Sequence, residues 1–166
     1  MIIKMLMFII SLLASFLVSV LGVIYFIDND KLFYSLVMGI LLTFVIIAIL
    51  RTIFRVQRPH IKSLKGGLFG HSMSSGRLLK FKKYLRELEK RSFASAHVAR
   101  VAVFMSVLYL FGYPYSWTFT LFLFMILIGL ARLYLKRHRF IDLITGAIVG
   151  IFSGYAGFYI SNTFFF

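Results

Sequence analysis

A histidine and an aspartate lie four residues apart near the start of an apolar segment, His138 and Asp142, with Arg132 shortly before them. Residues at this spacing share one face of a helix, so the carboxylate can bond one ring nitrogen of the histidine. The other nitrogen is then left unprotonated, as in a nucleophile held by an orienting carboxylate. An aspartate one turn inside an apolar helix is costly. We therefore favour a catalytic pair over a buried ion pair with a nearby arginine.

Ser95 and His97 lie at the start of another apolar segment. A helix N-terminus presents unpaired N–H groups to an anion, and there the serine can add a hydrogen-bond donor and the histidine a proton. An N-capping serine beside an interfacial histidine explains the same residues equally well. Arg100, about one turn after His97, is a further phosphate ligand, a group that tunes the pKa of His97, or a side chain that simply reaches the interface.

Arg51 and Arg58 are seven residues apart, nearly two helical turns, and Pro59 follows them. Their guanidinium groups would share one helix face, where they can hold a phosphate through paired hydrogen bonds. Ordinary positive charge beside a membrane span is the alternative interpretation. For this pair considered alone, that alternative is the better one.

The composition excludes a soluble domain. Hydrophobic residues make up 61% of the 166 residues and charged residues 14%, against about 25% charged residues in soluble proteins. The mean hydropathy is +0.94. The chain has no cysteine, which excludes disulfides and thiolate metal sites. Its net charge of +14 is concentrated at the ends of apolar runs, a pattern typical of contact with anionic lipid headgroups rather than nucleic acid.

Five apolar segments predict an all-α integral-membrane bundle that forms a single domain over residues 1–166. Backbone groups in lipid must be satisfied within the segment, so each span is expected to be a helix. The expected spans are 2–27, 32–53, 93–111, 117–135 and 140–160. With five spans, all the residues considered above fall on one face of the membrane.

The long connection at residues 54–92 is predicted to contain a basic amphipathic helix at about 76–91. Its apolar residues recur every three or four positions and lysines and arginines fill the other side, as in helices that lie in the membrane interface. A separate stripe, formed by Gly146, Gly150 and Gly154, is explained by close helix packing.

Together these residues resemble the type 2 phosphatidic-acid phosphatase superfamily of membrane lipid phosphatases, including its polyprenyl and dolichyl diphosphatases. The family motifs are Lys-x6-Arg-Pro, Pro-Ser-Gly-His and Ser-Arg-x5-His-x3-Asp. The corresponding segments here are Arg51-x6-Arg58-Pro59, Ala94-Ser95-Ala96-His97 and Ala131-Arg132-x5-His138-x3-Asp142. The spacing within all three motifs is kept, in order, over residues 51–146.

The resemblance implies a hydrolase that uses neither metal nor cofactor and acts on a lipid phosphate ester or diphosphate in two steps. His138 would attack phosphorus, and His97 would protonate the departing lipid oxygen and then activate water. Asp142 would hold the tautomer of His138. The phosphate would be bound by Arg51, Arg58, Ser95 and Arg132.

Four positions depart from the family motifs. Arginine replaces lysine at Arg51, and alanine replaces serine at Ala131. Ala94 stands in place of proline and Ala96 in place of glycine. Glycine permits a close approach of backbone to phosphate, so Ala96 is expected to narrow the site. None of these changes removes a nucleophile or a proton-transfer group.

Other classes of protein fit these residues less well. Vanadate-dependent haloperoxidases of the same superfamily are soluble, which five spans argue against. A non-catalytic lipid-binding protein leaves Asp142 unexplained, and a transporter would carry its charges near the middle of the bilayer. Among substrates, polyprenyl phosphate or diphosphate is favoured by analogy alone. Phosphatidic acid and phosphatidylglycerophosphate are the alternatives.

We expect a multi-pass protein of the cell membrane, but two arguments disagree about the side that carries the site. Of 19 lysines and arginines, only Lys31 lies on the opposite face. This bias predicts a cytoplasmic site. Family relatives commonly act on the outer face.

Overall fold

The computed structural model describes Met7 and residues 29–54 and 93–164. In the two long stretches the chain forms four helices and no strand, which agrees with the predicted all-α class. We number these helices α1 (Asp30–Ile53), α2 (Ala96–Leu110), α3 (Tyr115–Tyr134) and α4 (Phe140–Phe164). Helices α1, α3 and α4 are long and apolar enough to cross a membrane, whereas α2 is apolar but has 15 residues.

Four of the five predicted spans therefore coincide with described helices, and their ends agree to within four residues. Apart from Met7, the predicted span at 2–27 lies outside the described residues, as do the predicted interfacial helix at 76–91 and Arg58. The total of five spans stays a prediction.

The polar residues before α1 start that helix. Asn29 is its N-cap, and its side-chain oxygen accepts a hydrogen bond of 3.2 Å from the backbone N–H of Leu32. Asp30 lies in the first turn, where the helix dipole favours negative charge. The helix therefore begins at Asp30, two residues earlier than predicted.

Helix α2 begins three residues later than predicted because residues 93–95 form a turn. Ala94 has a φ of 58° and Ser95 is extended. At the other end, Gly112 has a φ of 71°. The N–H groups of Gly112 and Tyr113 donate to the carbonyls of Tyr109 and Leu108, each at 3.1 Å. This is a Schellman motif, in which glycine supplies the left-handed residue.

The turn from α3 to α4 uses the same motif without glycine. Lys136 has a φ of 52°, and its N–H donates to the carbonyl of Leu133 at 2.9 Å. The N–H of Arg137 donates to the carbonyl of Arg132 at 3.0 Å. A side chain in this conformation costs about 1 kcal/mol. The result is a compact turn that keeps Arg132 and His138 at the same end of the bundle.

Helix α4 packs along both α1 and α2, and α3 packs mainly on α2. The glycine stripe permits this arrangement. A Cβ atom at Gly146 would lie 2.6 Å from the carbonyl oxygen of Ser95, and one at Gly150 would collide with the backbone of Ala99. Gly157 makes a similar approach to the backbone of Gly39 on α1. The predicted role of the stripe in close packing is confirmed.

A cleft of about 480 Å³ opens between α2, α3 and α4 near the turn that contains Gly112. Its walls are mostly apolar, and the hydroxyls of Ser106 and Thr118 in those walls donate to carbonyls of their own helices. Tyr109 in this cleft lies in the last turn of α2, whereas Ser95 lies at the start of that helix. The cleft is therefore at the opposite end of the bundle from the predicted site.

We predict that Gly150→Ala destabilises the bundle, although alanine is the better helix former. The new methyl would lie 2.7 Å from the Cβ atom of Ala102. Such overpacking costs about 1–3 kcal/mol, against about 1 kcal/mol gained in helix propensity. The measurement is the melting temperature in detergent, expected to fall by several degrees. Ile148→Phe, on the exposed side of α4, is the control and should leave it nearly unchanged. A higher melting temperature for Gly150→Ala would contradict the packing.

Candidate functional site

The described parts of all three predicted motifs meet at one end of the bundle. Arg51 lies in the last turn of α1, Ser95 and His97 at the start of α2, and Arg132 in the last turn of α3. His138 lies in the turn before α4, which brings Asp142 into the first turn of that helix. Hydrogen bonds to backbone carbonyls hold these segments together, two from the Arg51 side chain and one from the Ser95 N–H.

Asp142 is fixed by its place in α4. Its Oδ2 atom accepts a hydrogen bond of 2.8 Å from the backbone N–H of Arg139, the residue just before the helix. This is half of a capping box, and the positive end of the helix dipole stabilises the carboxylate. The side chain is fully buried. The helix start therefore holds the carboxylate rigidly, independently of any role in catalysis.

His138 faces this carboxylate. Its Nδ1 atom lies 3.7 Å from Oδ2 of Asp142, and both side chains are buried. The distance is that of an ion pair and is longer than a hydrogen bond. Catalytic contacts of this kind often shorten only when substrate binds. Nδ1 is the ring nitrogen turned towards the carboxylate, the arrangement in which an orienting acid fixes the tautomer of a histidine.

Among the described residues, the fully buried charged groups lie at this end of the bundle. Within residues 29–54 and 93–164, the buried ionisable side chains are those of Arg132, His138 and Asp142. Arg51 is half-buried nearby. Guanidinium groups thus outnumber carboxylates at the site, which favours an anionic ligand. In this part of the chain, no three His, Asp or Glu side chains are grouped as metal ligands would be.

Ser95 occupies the N-cap position of α2 but does not cap the helix with its side chain. The hydroxyl is fully buried and makes no hydrogen bond to any residue the structure describes. Its backbone N–H donates to the carbonyl of Asp142 at 2.8 Å. A buried hydroxyl without a partner carries a desolvation cost that a bound anion would offset. This observation favours the ligand-binding interpretation of Ser95 over the capping one.

Arg51 contacts the turn before Ser95. Its Nε atom donates to the carbonyl of Phe93 and its Nη2 atom to the carbonyl of Ala94, each at 3.2 Å. The prediction that Arg51 lies at the site agrees with this position. Part of the guanidinium group, however, is used to hold backbone.

The two remaining candidates on α2 differ in position. His97 is half-buried in the first turn, at the same end as Ser95. The guanidinium of Arg100 lies 5.9 Å from the ring centroid of Phe44 on α1, and Phe44 is itself 62% exposed. A cation over an aromatic face is a favourable contact. Arg100 is thus half-buried and packs against α1 at Phe44, seven residues before Arg51 in that helix.

Two contributors to the site were missed in the sequence. The capping bond from Arg139 was readable in principle, because an aspartate in the first turn of a helix often accepts it. The left-handed conformation of Ala94 carries no such signal, because alanine rarely adopts it.

Comparisons with known proteins agree with this geometry. The family model of the PAP2 superfamily matches residues 32–166. The crystal structure of LpxE from Aquifex aeolicus is similar to the chain with a TM-score of 0.70 and 25% sequence identity. That similarity covers 95% of this chain and 86% of the LpxE chain. No curated protein sequence matches the chain significantly.

We predict that Asp142→Asn lowers the rate of phosphate release from a lipid phosphate by about 100-fold or more. Asparagine can still accept the N–H of Arg139, but it cannot stabilise a charged His138. The helix start should therefore survive, and the melting temperature should change little. Asp30→Asn, exposed at the other end of the bundle, is the matched control. Full activity in Asp142→Asn would exclude an orienting role for the carboxylate.

Proposed function

The chain belongs to the PAP2 superfamily and is a phosphatase that acts on lipid phosphate esters, and we propose that it hydrolyses a polyprenyl phosphate or diphosphate through a phosphohistidine on His138. The observation that best supports this mechanism is the buried His138–Asp142 pair, with Nδ1 and Oδ2 3.7 Å apart, in a site rich in guanidinium groups. Such a pair supplies a nucleophile with a fixed tautomer beside groups that bind phosphate.

In the first step, Nε2 of His138 attacks phosphorus on the side opposite the lipid oxygen. The N–P bond forms as the P–O bond breaks, and the electron pair of the broken bond goes to the lipid oxygen. That oxygen takes a proton from His97. Asp142 stabilises the positive charge that develops on the ring of His138. The lipid leaves as an alcohol or, from a diphosphate, as the monophosphate.

In the second step, water attacks the phosphohistidine. His97, now neutral, takes a proton from this water as the O–P bond forms and the N–P bond breaks. The products are inorganic phosphate and free His138, and His97 regains the proton it gave up in the first step. The residues of the site therefore return to their starting state without a metal or cofactor in the cycle.

Phosphate binding is assigned to Arg132, the hydroxyl of Ser95 and the first N–H groups of α2, with Arg58 as a further ligand. Each can donate to the equatorial oxygens, where charge builds in the transition state. Buried donors act in a low dielectric and are already oriented, so they need no rearrangement during the reaction. The fully buried Ser95 hydroxyl supports this assignment.

The preference for a polyprenyl chain rests on analogy with small members of the superfamily. Phosphatidic acid and phosphatidylglycerophosphate also carry a phosphate at headgroup level above apolar chains, and they are the second candidates. All three would reach a site that lies at the ends of membrane-crossing helices.

The deciding experiment measures phosphate release in detergent with excess chelator from polyprenyl diphosphate, phosphatidic acid and phosphatidylglycerophosphate. Wild type should release phosphate fastest from the polyprenyl substrate, and His138→Ala should reduce release to background. His97→Ala, given a phosphate ester with a good leaving group, should accumulate an acid-labile phosphoenzyme that His138→Ala lacks. Release from none of the lipids by folded wild type would favour a non-catalytic lipid-binding protein.

The side of the membrane can be tested because the chain has no cysteine. Arg139 and Ser116 are exposed at opposite ends of the bundle. The charge bias supports a cytoplasmic site. In intact cells, a membrane-impermeant maleimide is therefore expected to label Ser116→Cys and to spare Arg139→Cys until the membrane is opened. The reverse pattern would place the site on the outer face, as in family relatives.

A further inference from the structure

We propose that Arg51 is a positioning residue, whose guanidinium holds the left-handed turn at Ala94 and thereby sets the place of Ser95 in the phosphate site. This role rests on the proposed function and is additional to any contact of Arg51 with phosphate. It follows from three features of residues 51–54 and 93–97, namely a strained backbone, a forked hydrogen bond and a second anchor on α4.

The backbone at Ala94 is in an unfavourable conformation. Its φ of 58° brings Cβ too close to the following carbonyl oxygen, and alanine seldom adopts it. Strained residues of this kind persist only where their surroundings hold them. Ala94 is fully buried, and the next residue is Ser95. The turn therefore needs a restraint from outside itself.

Arg51 provides that restraint from α1. Its Nε and Nη2 atoms donate to two successive carbonyls, those of Phe93 and Ala94, at 3.2 Å each. These are two of the five N–H donors of a guanidinium, carried on separate nitrogens of one rigid plane. The rings of Phe54 and Phe93 stack beside them with centroids 4.4 Å apart. The end of α1 thus holds the carbonyl that precedes the strained residue Ala94 and the carbonyl of Ala94 itself.

The far side of the turn is anchored on α4. The N–H of Ser95 donates to the carbonyl of Asp142 at 2.8 Å. The missing side chain of Gly146 leaves room for this backbone, since a Cβ atom there would lie 2.6 Å from the Ser95 carbonyl oxygen. Ser95 is therefore held between Arg51 on one side and the segment that carries Asp142 on the other. Loss of either anchor would let its hydroxyl move.

Arg51 and Ala94, which both depart from the family motifs, are linked through these hydrogen bonds. Proline, with φ fixed near −65°, cannot adopt the conformation of Ala94. Lysine carries all its donors on one nitrogen and lacks the planar fork that bridges the two carbonyls. Arginine at position 51 and alanine at position 94 thus form one structural unit in this chain.

The test is a double-mutant cycle with Arg51→Lys and Ala94→Gly, assayed as kcat/KM for lipid phosphate. Arg51→Lys keeps the charge but loses the fork, so activity should fall by about tenfold. Ala94→Gly alone should change it by less than about twofold, because the turn is already formed. Glycine adopts positive φ without strain. The double variant should therefore recover most of the lost activity.

If Arg51 served only as a phosphate ligand, Ala94→Gly would not rescue Arg51→Lys, and the double variant would be as slow as the single one. That result would overturn the proposal. Arg100→Lys is the control for a conservative change elsewhere. Ala94→Gly should change kcat/KM by the same factor in wild type and in Arg100→Lys. Any effect of Ala94→Gly specific to Arg51→Lys is then due to the turn.

Hydrogen exchange separates this proposal from the proposed function. Protection of the Ser95 amide, which is bonded to Asp142, should fall in Arg51→Lys and return in the double variant, whether or not the protein hydrolyses the lipid tested. Unchanged protection in Arg51→Lys would refute the positioning role even in an active enzyme. If protection returns in the double variant but the protein hydrolyses none of the lipids tested, only the catalytic proposal is refuted.

Discussion

The hydrogen bond from the N–H of Ser95 to the carbonyl of Asp142 is the contact on which the site depends. It joins the beginning of α2 to the first turn of α4, at a close backbone approach that a side chain at position 146 would block. Because Asp142 also accepts the N–H of Arg139, one short segment fixes its own helix start, the pairing of His138 and the turn that carries Ser95. The geometry of the candidate site thus rests largely on hydrogen bonds that have the main chain as one partner.

Electrostatics explains why these groups must be held in place. A buried carboxylate, a buried histidine and a buried arginine lie together at one end of an otherwise apolar bundle. Removing these groups from water is expensive, and the cost is offset only if their partners are held in place. A fixed, positively charged site also stabilises phosphoryl transfer more effectively than mobile charges in water do. The arrangement lowers the free energy of unfolding, but its fixed positive charge is suited to binding a phosphate group.

Much of this organisation was predictable from the sequence. Apolar run length placed α1, α3 and α4 closely, and the spacing of His138 and Asp142 predicted their pairing. The start of α2 was placed too early, because nothing in the side chains of Phe93 and Ala94 distinguishes a left-handed turn from the first turn of a helix. The hydrogen bonds from Arg51 to two carbonyls could not be predicted, for a related reason. Sequence patterns report which side chains are apolar or charged, but the carbonyls that a turn exposes depend on backbone angles.

The face of α4 that carries Gly146, Gly150 and Gly157 limits which substitutions this protein can accept during evolution. Where two helices meet through side chains, a larger residue on one can be accommodated by a smaller one on the other. Gly146, Gly150 and Gly157 meet backbone instead, so no neighbouring substitution can make room for a new side chain there. The opposite, exposed face carries residues such as Ile144, Ile148 and Phe152, for which many apolar replacements are equivalent. Neutral drift in α4 is thus expected to follow its lipid-facing side, while the glycine face stays nearly fixed.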